Sequence, residues 1–287
     1  MERKGLKTDI FSISLLFLLG ESVCKIPNSL NIKNLTIVLL TALILLILVT
    51  LFDKKIIAFI KPKPFLKIAA VIFLSLYALY CLIDTVGLFS KVFRRFALNE
   101  FSVWTISVLF LALCIYTALK GFRAYKKTAT VFLAVSILFT AIIIIVSLSE
   151  IDKENFNDIF KLPLNLDYKI FLQSGFSVGF LPFCFCLFDE KEYKKSMYYG
   201  VFSAGILLIV LGLIPILIFG SVFSYALDFP LFDAVGALSV GSVFTRIDAF
   251  LYFVLFSGSL IKTALLILVL IRLLKYLIKK IKSPALK

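Results

Sequence analysis

The chain has 287 residues, 61% of them hydrophobic, with a mean hydropathy of +1.06 and a formal net charge of +14. Hydropathy that high excludes an ordinary soluble domain. The chain contains no histidine, and it shows no nucleophile–base pair, metal-ligand cluster or phosphate loop, so the pattern predicts neither an enzyme nor a cofactor.

Eight apolar stretches follow one another, at 10–26, 35–52, 65–89, 101–119, 128–148, 170–188, 197–219 and 247–273. Each is long enough for the roughly 30 Å hydrocarbon layer of a bilayer. They predict one all-α integral membrane domain over 1–287, with 1–169 as a first five-helix half plus a loop and 170–287 as a partial second half of three helices and a basic tail.

Span one begins after a charged segment at 2–7 that looks like the start of a signal peptide. No small-x-small cleavage site follows, and Glu21 stands three before Cys24, where a lipoprotein signal needs an aliphatic residue. The expectation is a retained helix. The span ends in LGESVCKIP (19–27), which places Gly20, Glu21, Ser22 and Pro27 in or beside hydrocarbon. In span three, Tyr77, Tyr80 and Asp84 share one helical face.

Span six contains SGFSVGFLPF (174–183), with Ser174, Gly175, Ser177, Gly179 and Pro182. Two readings stand. One is a packing seam of small residues four apart, and the other is an interrupted helix. Irregular backbone survives in hydrocarbon only where protein buries it or a polar cavity borders it. Spans one and six both carry such residues at matching places in the two halves, which is the pattern of an inverted-repeat transporter site built on broken helices. The candidate ligand-binding residues are Gly20, Glu21, Ser22, Ser174, Gly175, Ser177 and Gly179, with Tyr77 and Tyr80 from span three.

Span eight places Asp248, Tyr252, Ser259 and Lys262 within one narrow arc. A lysine at mid-helix costs about 2.5–3.5 kcal/mol to insert, so Lys262 is expected to face protein or water. With Ser259 it is a candidate structural element or ion mimic toward span one. Asp84 and Asp248 fit either an interfacial position or a protein-facing one.

With the N-terminus in the cytoplasm, the cytoplasmic segments hold 21 of the 31 Lys and Arg, against nine on the other side. That asymmetry predicts cytoplasmic N- and C-termini. The tail RLLKYLIKKIK (272–282) reads as a contact for anionic lipid rather than a nucleic-acid site. The five cysteines, Cys24, Cys81, Cys114, Cys184 and Cys186, all fall in spans and are too scattered for a disulfide framework.

Several stretches resemble, in order and spacing, the B-subunit permease of spore germinant receptors, a branch of the amino acid/polyamine/organocation superfamily. LLFLLGESVCKIP is similar to that family's first broken helix, SLYALYCLIDTVGLFSKVF to its third and WTISVLFLALCIYTALKGF to its fourth. FPLFDAVGAL resembles its outer re-entrant segment, and RIDAFLYFVLFSGSLIKTALLI its eighth helix, which typically reads Arg-Ile-Glu and then Gly-x-x-x-Lys. The resemblance implies a five-plus-five inverted repeat with helices one and six broken at a central amino-acid site. It also implies assembly with a large A subunit and a lipoprotein C subunit in the inner membrane of an endospore, where nutrient binding triggers germination. That family usually has ten helices, so the resemblance implies a frame truncated after helix eight. The alternatives are an amino-acid transporter of the same superfamily or a degenerate structural subunit without ligand.

Overall fold

A computed structural model describes residues 2–25, 64–157, 178–185, 187–188, 193–238 and 246–282. All regular structure among them is helical. The long helices are α1 (Glu2–Lys25), α2 (Pro64–Phe96), α3 (Val103–Leu119), α4 (Phe122–Ser147), α5 (Tyr193–Phe219) and α8 (Asp248–Lys282). Two short ones, α6 (Ser221–Ala226) and α7 (Pro230–Ala237), lie between α5 and α8. Residues 178–185 are also helical. The long helices coincide with spans one, three, four, five, seven and eight. Span two lies outside the described residues, and span six is described from residue 178 onward.

Among the described residues, four helices are long and apolar enough to cross a bilayer, over 68–96, 122–150, 193–219 and 248–278, and α3 is a shorter apolar helix. Hydroxyls within the helices satisfy themselves on the preceding turn: Ser14 Oγ donates to the Ile10 carbonyl at 2.8 Å, Thr85 Oγ1 to Cys81 at 2.7 Å and Ser147 Oγ to Ile143 at 2.7 Å. That is how a serine or threonine is carried in lipid without an unpaired polar group. Ser102 caps α3 by accepting from the Thr105 amide at 3.1 Å. Gly121, at φ 88°, makes the tight turn into α4.

The bundle is organised around α8 and α1. α8 packs against α1, α2, α3 and α4, and α1 against α8, α5 and α4. Burial separates the roles: 78% of the most apolar stretch of α8 is enclosed, against 17% for α2. Along the α1–α8 contact, Gly20 meets Gly258 while Phe17 meets Lys262. Sequence numbers fall on one helix as they rise on the other, so the two run antiparallel.

The break expected over 19–27 is corrected at Gly20–Ser22, and Ile26 and Pro27 lie outside the described residues. α1 is helical without interruption from Glu2 to Lys25, through Gly20, Glu21 and Ser22. The glycine serves closeness rather than flexibility. A Cβ on Gly20 would lie 2.2 Å from the Gly258 carbonyl carbon and 2.3 Å from the Ser259 nitrogen. Only a residue without a side chain allows two helices to approach so closely. In span six, Gly179 and Pro182 lie within the helical residues 178–185.

Candidate functional site

The α1–α8 crossing is the most constrained point of the bundle. Each glycine needs the other, because a Cβ on Gly258 would lie 2.5 Å from the Gly20 Cα. One turn along from Gly258, Lys262 is 2% exposed. Its Nζ stands 5.1 Å from the centroid of the Phe17 ring, itself 1% exposed. An ammonium taken out of water is costly unless it is partnered. A desolvated cation over an aromatic face recovers about 2 kcal/mol, and Phe17 is not the sole partner of this side chain. Ser259 Oγ lies 3.5 Å from the Gly20 carbonyl, at the outer limit of a hydrogen bond.

Neighbouring helices hold this crossing in place. The buried Tyr125 hydroxyl on α4 donates to the Ile261 carbonyl at 3.0 Å, one residue from Lys262. Ser136 and Ser257 share a hydrogen bond of 2.7 Å between α4 and α8. Thr130 Oγ1 donates to Asp9 at 2.9 Å, which ties α4 to α1. On the other flank, α5 presses Gly200 against α1, where a Cβ would stand 2.8 Å from the Phe11 carbonyl oxygen. A buried polar seam joined in this way fixes register as well as contact.

The structure brings three of the sequence-chosen residues together: Gly20, Ser259 and Lys262. Ser22 is half-buried on α1, and Glu21 follows Gly20 in the same helix with its side chain outside the described residues. Ser174, Gly175 and Ser177 lie outside the described residues. Gly179 is half-buried. Tyr77 is half-buried and packs on Phe180, with ring centroids 5.3 Å apart, so it borders the described part of span six. Tyr80 is 57% exposed on the outside of α2, away from the crossing. Asp248 accepts from the Tyr252 hydroxyl at 2.8 Å near the start of α8.

Sequence reasoning passed over Phe17, Gly258, Gly200 and Tyr125. Gly258 had a signal, the Gly-x-x-x-Lys spacing to Lys262, which puts both on one face a turn apart. Tyr125, within the basic stretch FRAYKK, looks like an interfacial aromatic, and only the fold turns it inward.

Neither curated proteins nor solved structures supply a match to this chain. A family model for spore permeases, described as spore germination protein, matches residues 7–286. That range takes in α1 from Lys7 onward, every other described long helix and the Gly20–Gly258 crossing, and the chain belongs to this spore germination family.

Proposed function

We propose that this protein is the membrane subunit of a spore germinant receptor and that it binds a small amino acid or related nutrient. The ligand binds beside the α1–α8 crossing, next to the helical residues 178–185, and binding signals germination. The family match over residues 7–286 supports the class of function. The observation that carries the site is the fully enclosed lysine, Lys262, beside two glycines in backbone contact. Buried ionisable groups within membrane helices mark functional sites far more often than lipid-facing ones. In this reading the subunit sits in the inner membrane of the spore with both termini in the cytoplasm. It assembles with an A subunit and a lipoprotein C subunit, and its basic tail contacts anionic lipid.

Purified protein in lipid nanodiscs, titrated with a panel of amino acids, tests the reading through ligand-dependent shifts in Tm. The expected result is that at least one small amino acid raises Tm in a saturable way and that Lys262→Met loses the effect. A panel in which no amino acid shifts Tm, with the protein intact, refutes the ligand assignment.

A further inference from the structure

At the end of the bundle where α4 begins, four side chains from three elements form one stack. Phe188 lies flat on Phe122, with centroids 3.9 Å apart and planes within 6°. The Arg272 guanidinium lies 4.1 Å from the Phe188 centroid. Phe122 already covers one face of that ring, so Arg272 covers the other. Arg272 Nη1 also donates to the Leu187 carbonyl. Lys126 Nζ stands 5.3 Å from the Phe122 centroid.

Each participant is at the end of something. Phe122 is the first residue of α4. Leu187 and Phe188 follow the helical residues 178–185. Arg272 is exposed in the last third of α8. The last carbonyls of a helix lack intrahelical partners, and a guanidinium there both accepts that role and complements the helix dipole. Phe188 is nevertheless only 8% exposed. Cys184, one turn earlier, and Tyr125, beside Phe122 in α4, are both 0% exposed.

We infer that the Arg272–Phe188–Phe122 stack is a clasp that closes the ligand site at this end of the bundle. This rests on the reading that residues 178–185 border that site. The end of span six can move away from α4 and α8 only if Phe188 unstacks and the Leu187 carbonyl leaves Arg272. The closed state is held by ring stacking, cation–π contact and helix capping. Opening it uncovers Cys184.

The test uses the full chain with Cys184 as its sole cysteine, in nanodiscs that leave both faces open to a bulky, charged maleimide, with no amino acid present. Phe188→Ala is expected to speed labelling of Cys184 about tenfold, the scale of losing one stacked aromatic pair and one cation–π contact. Arg272→Gln should speed it less, and Arg95→Gln, near the opposite end of the bundle, should leave it unchanged. A parallel chain whose sole cysteine is Cys114, buried in α3, should stay slow in Phe188→Ala. An unchanged Cys184 rate in Phe188→Ala overturns the clasp, and so does an equal rise at Cys114, which would mean general loosening. A separate arm adds the amino-acid panel. If no amino acid alters any rate while Phe188→Ala still exposes Cys184, the clasp stands and the ligand reading falls.

Discussion

At residue scale, the chemistry of this protein concentrates on one charge and two missing side chains. Lys262 is enclosed at 2% exposure over Phe17, and removing the ammonium leaves the groups that met it without their partner. Lys262→Met is therefore expected to lower Tm and abolish ligand response, with sodium newly raising Tm where the cation stood. Lys262→Arg should rescue only in part, because a planar fork does not replace a compact point charge. Phe17→Leu keeps an apolar side chain but removes the π face, at a cost of about 1–2 kcal/mol. If the ring and the ammonium act together, the Phe17→Leu/Lys262→Met pair falls short of additivity by a similar amount. Strict additivity in thermal unfolding would separate them. The glycines make the sharper prediction. Gly20→Ala sets a carbon 2.2 Å from backbone, and should cost about 3 kcal/mol, the upper part of the overpacking range. Gly87→Ala, where a Cβ meets nothing within 4 Å, should be neutral or stabilise by up to about 1 kcal/mol.

At the scale of the element, the sequence was clearest where hydropathy and length act alone. Each described long helix overlaps a predicted span, because twenty apolar residues in a row have few other uses. The motif-based resemblance was likewise borne out, by the family match over 7–286. The continuity of α1 was not legible. A glycine beside a glutamate and a serine reads equally well as a weak point or as a place of close approach, and only Gly258, 238 residues later in the chain, decides between them. The exposure of Tyr80 was not legible for a related reason. A helical wheel puts it about 60° from Tyr77, but it does not say how narrow the covered arc of α2 is. The covered arc includes Tyr77 and leaves Tyr80 57% exposed. Tyr125 ties α4 to α8 through one hydroxyl. The Ile261 carbonyl it meets has a second lone pair for its own helix, so Tyr125→Phe orphans no acceptor and should cost only about 1 kcal/mol in Tm-derived stability. A loss several times larger would mean that the hydroxyl organises more than this one contact.

At the scale of the whole molecule, the two ends of the bundle are closed by different chemistry. The Arg272 end is held by stacking and capping. At the other end an exposed charge pair, Arg95 Nη1 to Asp228 Oδ2 at 2.6 Å, lies just before α7, and α7 is held by Phe232, which stacks on Phe96 at 5.6 Å and on Tyr252 at 5.9 Å. Asp233 enters this contact from the first turn of α7, with its Oδ2 buried and making no hydrogen bond. Burial pushes its carboxyl above the usual carboxylate range and Asp228 pushes the same way, while Arg95 opposes both. Asp233 in turn acts on Tyr252, together with Asp248 and Arg246. The neighbouring half of α5, from Leu211 to Phe219, brings no titratable group. A carboxyl whose folded value is raised binds its proton more tightly docked than free. Its contribution is therefore complete below the ordinary carboxylate value and is lost as pH rises through the raised one. Over a window that opens at about pH 4, the ordinary carboxylate value, and ends above the raised one, the docking of α7 should weaken as pH rises. Asp233→Asn, which stays neutral, should be more stable than the parent at the upper end of that window and should converge with it at the lower end. The difference in Tm between the two proteins across the window isolates this group from every other carboxylate in the chain. Two curves that run parallel would show that Asp233 titrates as a free side chain does and that α7 is indifferent to its charge.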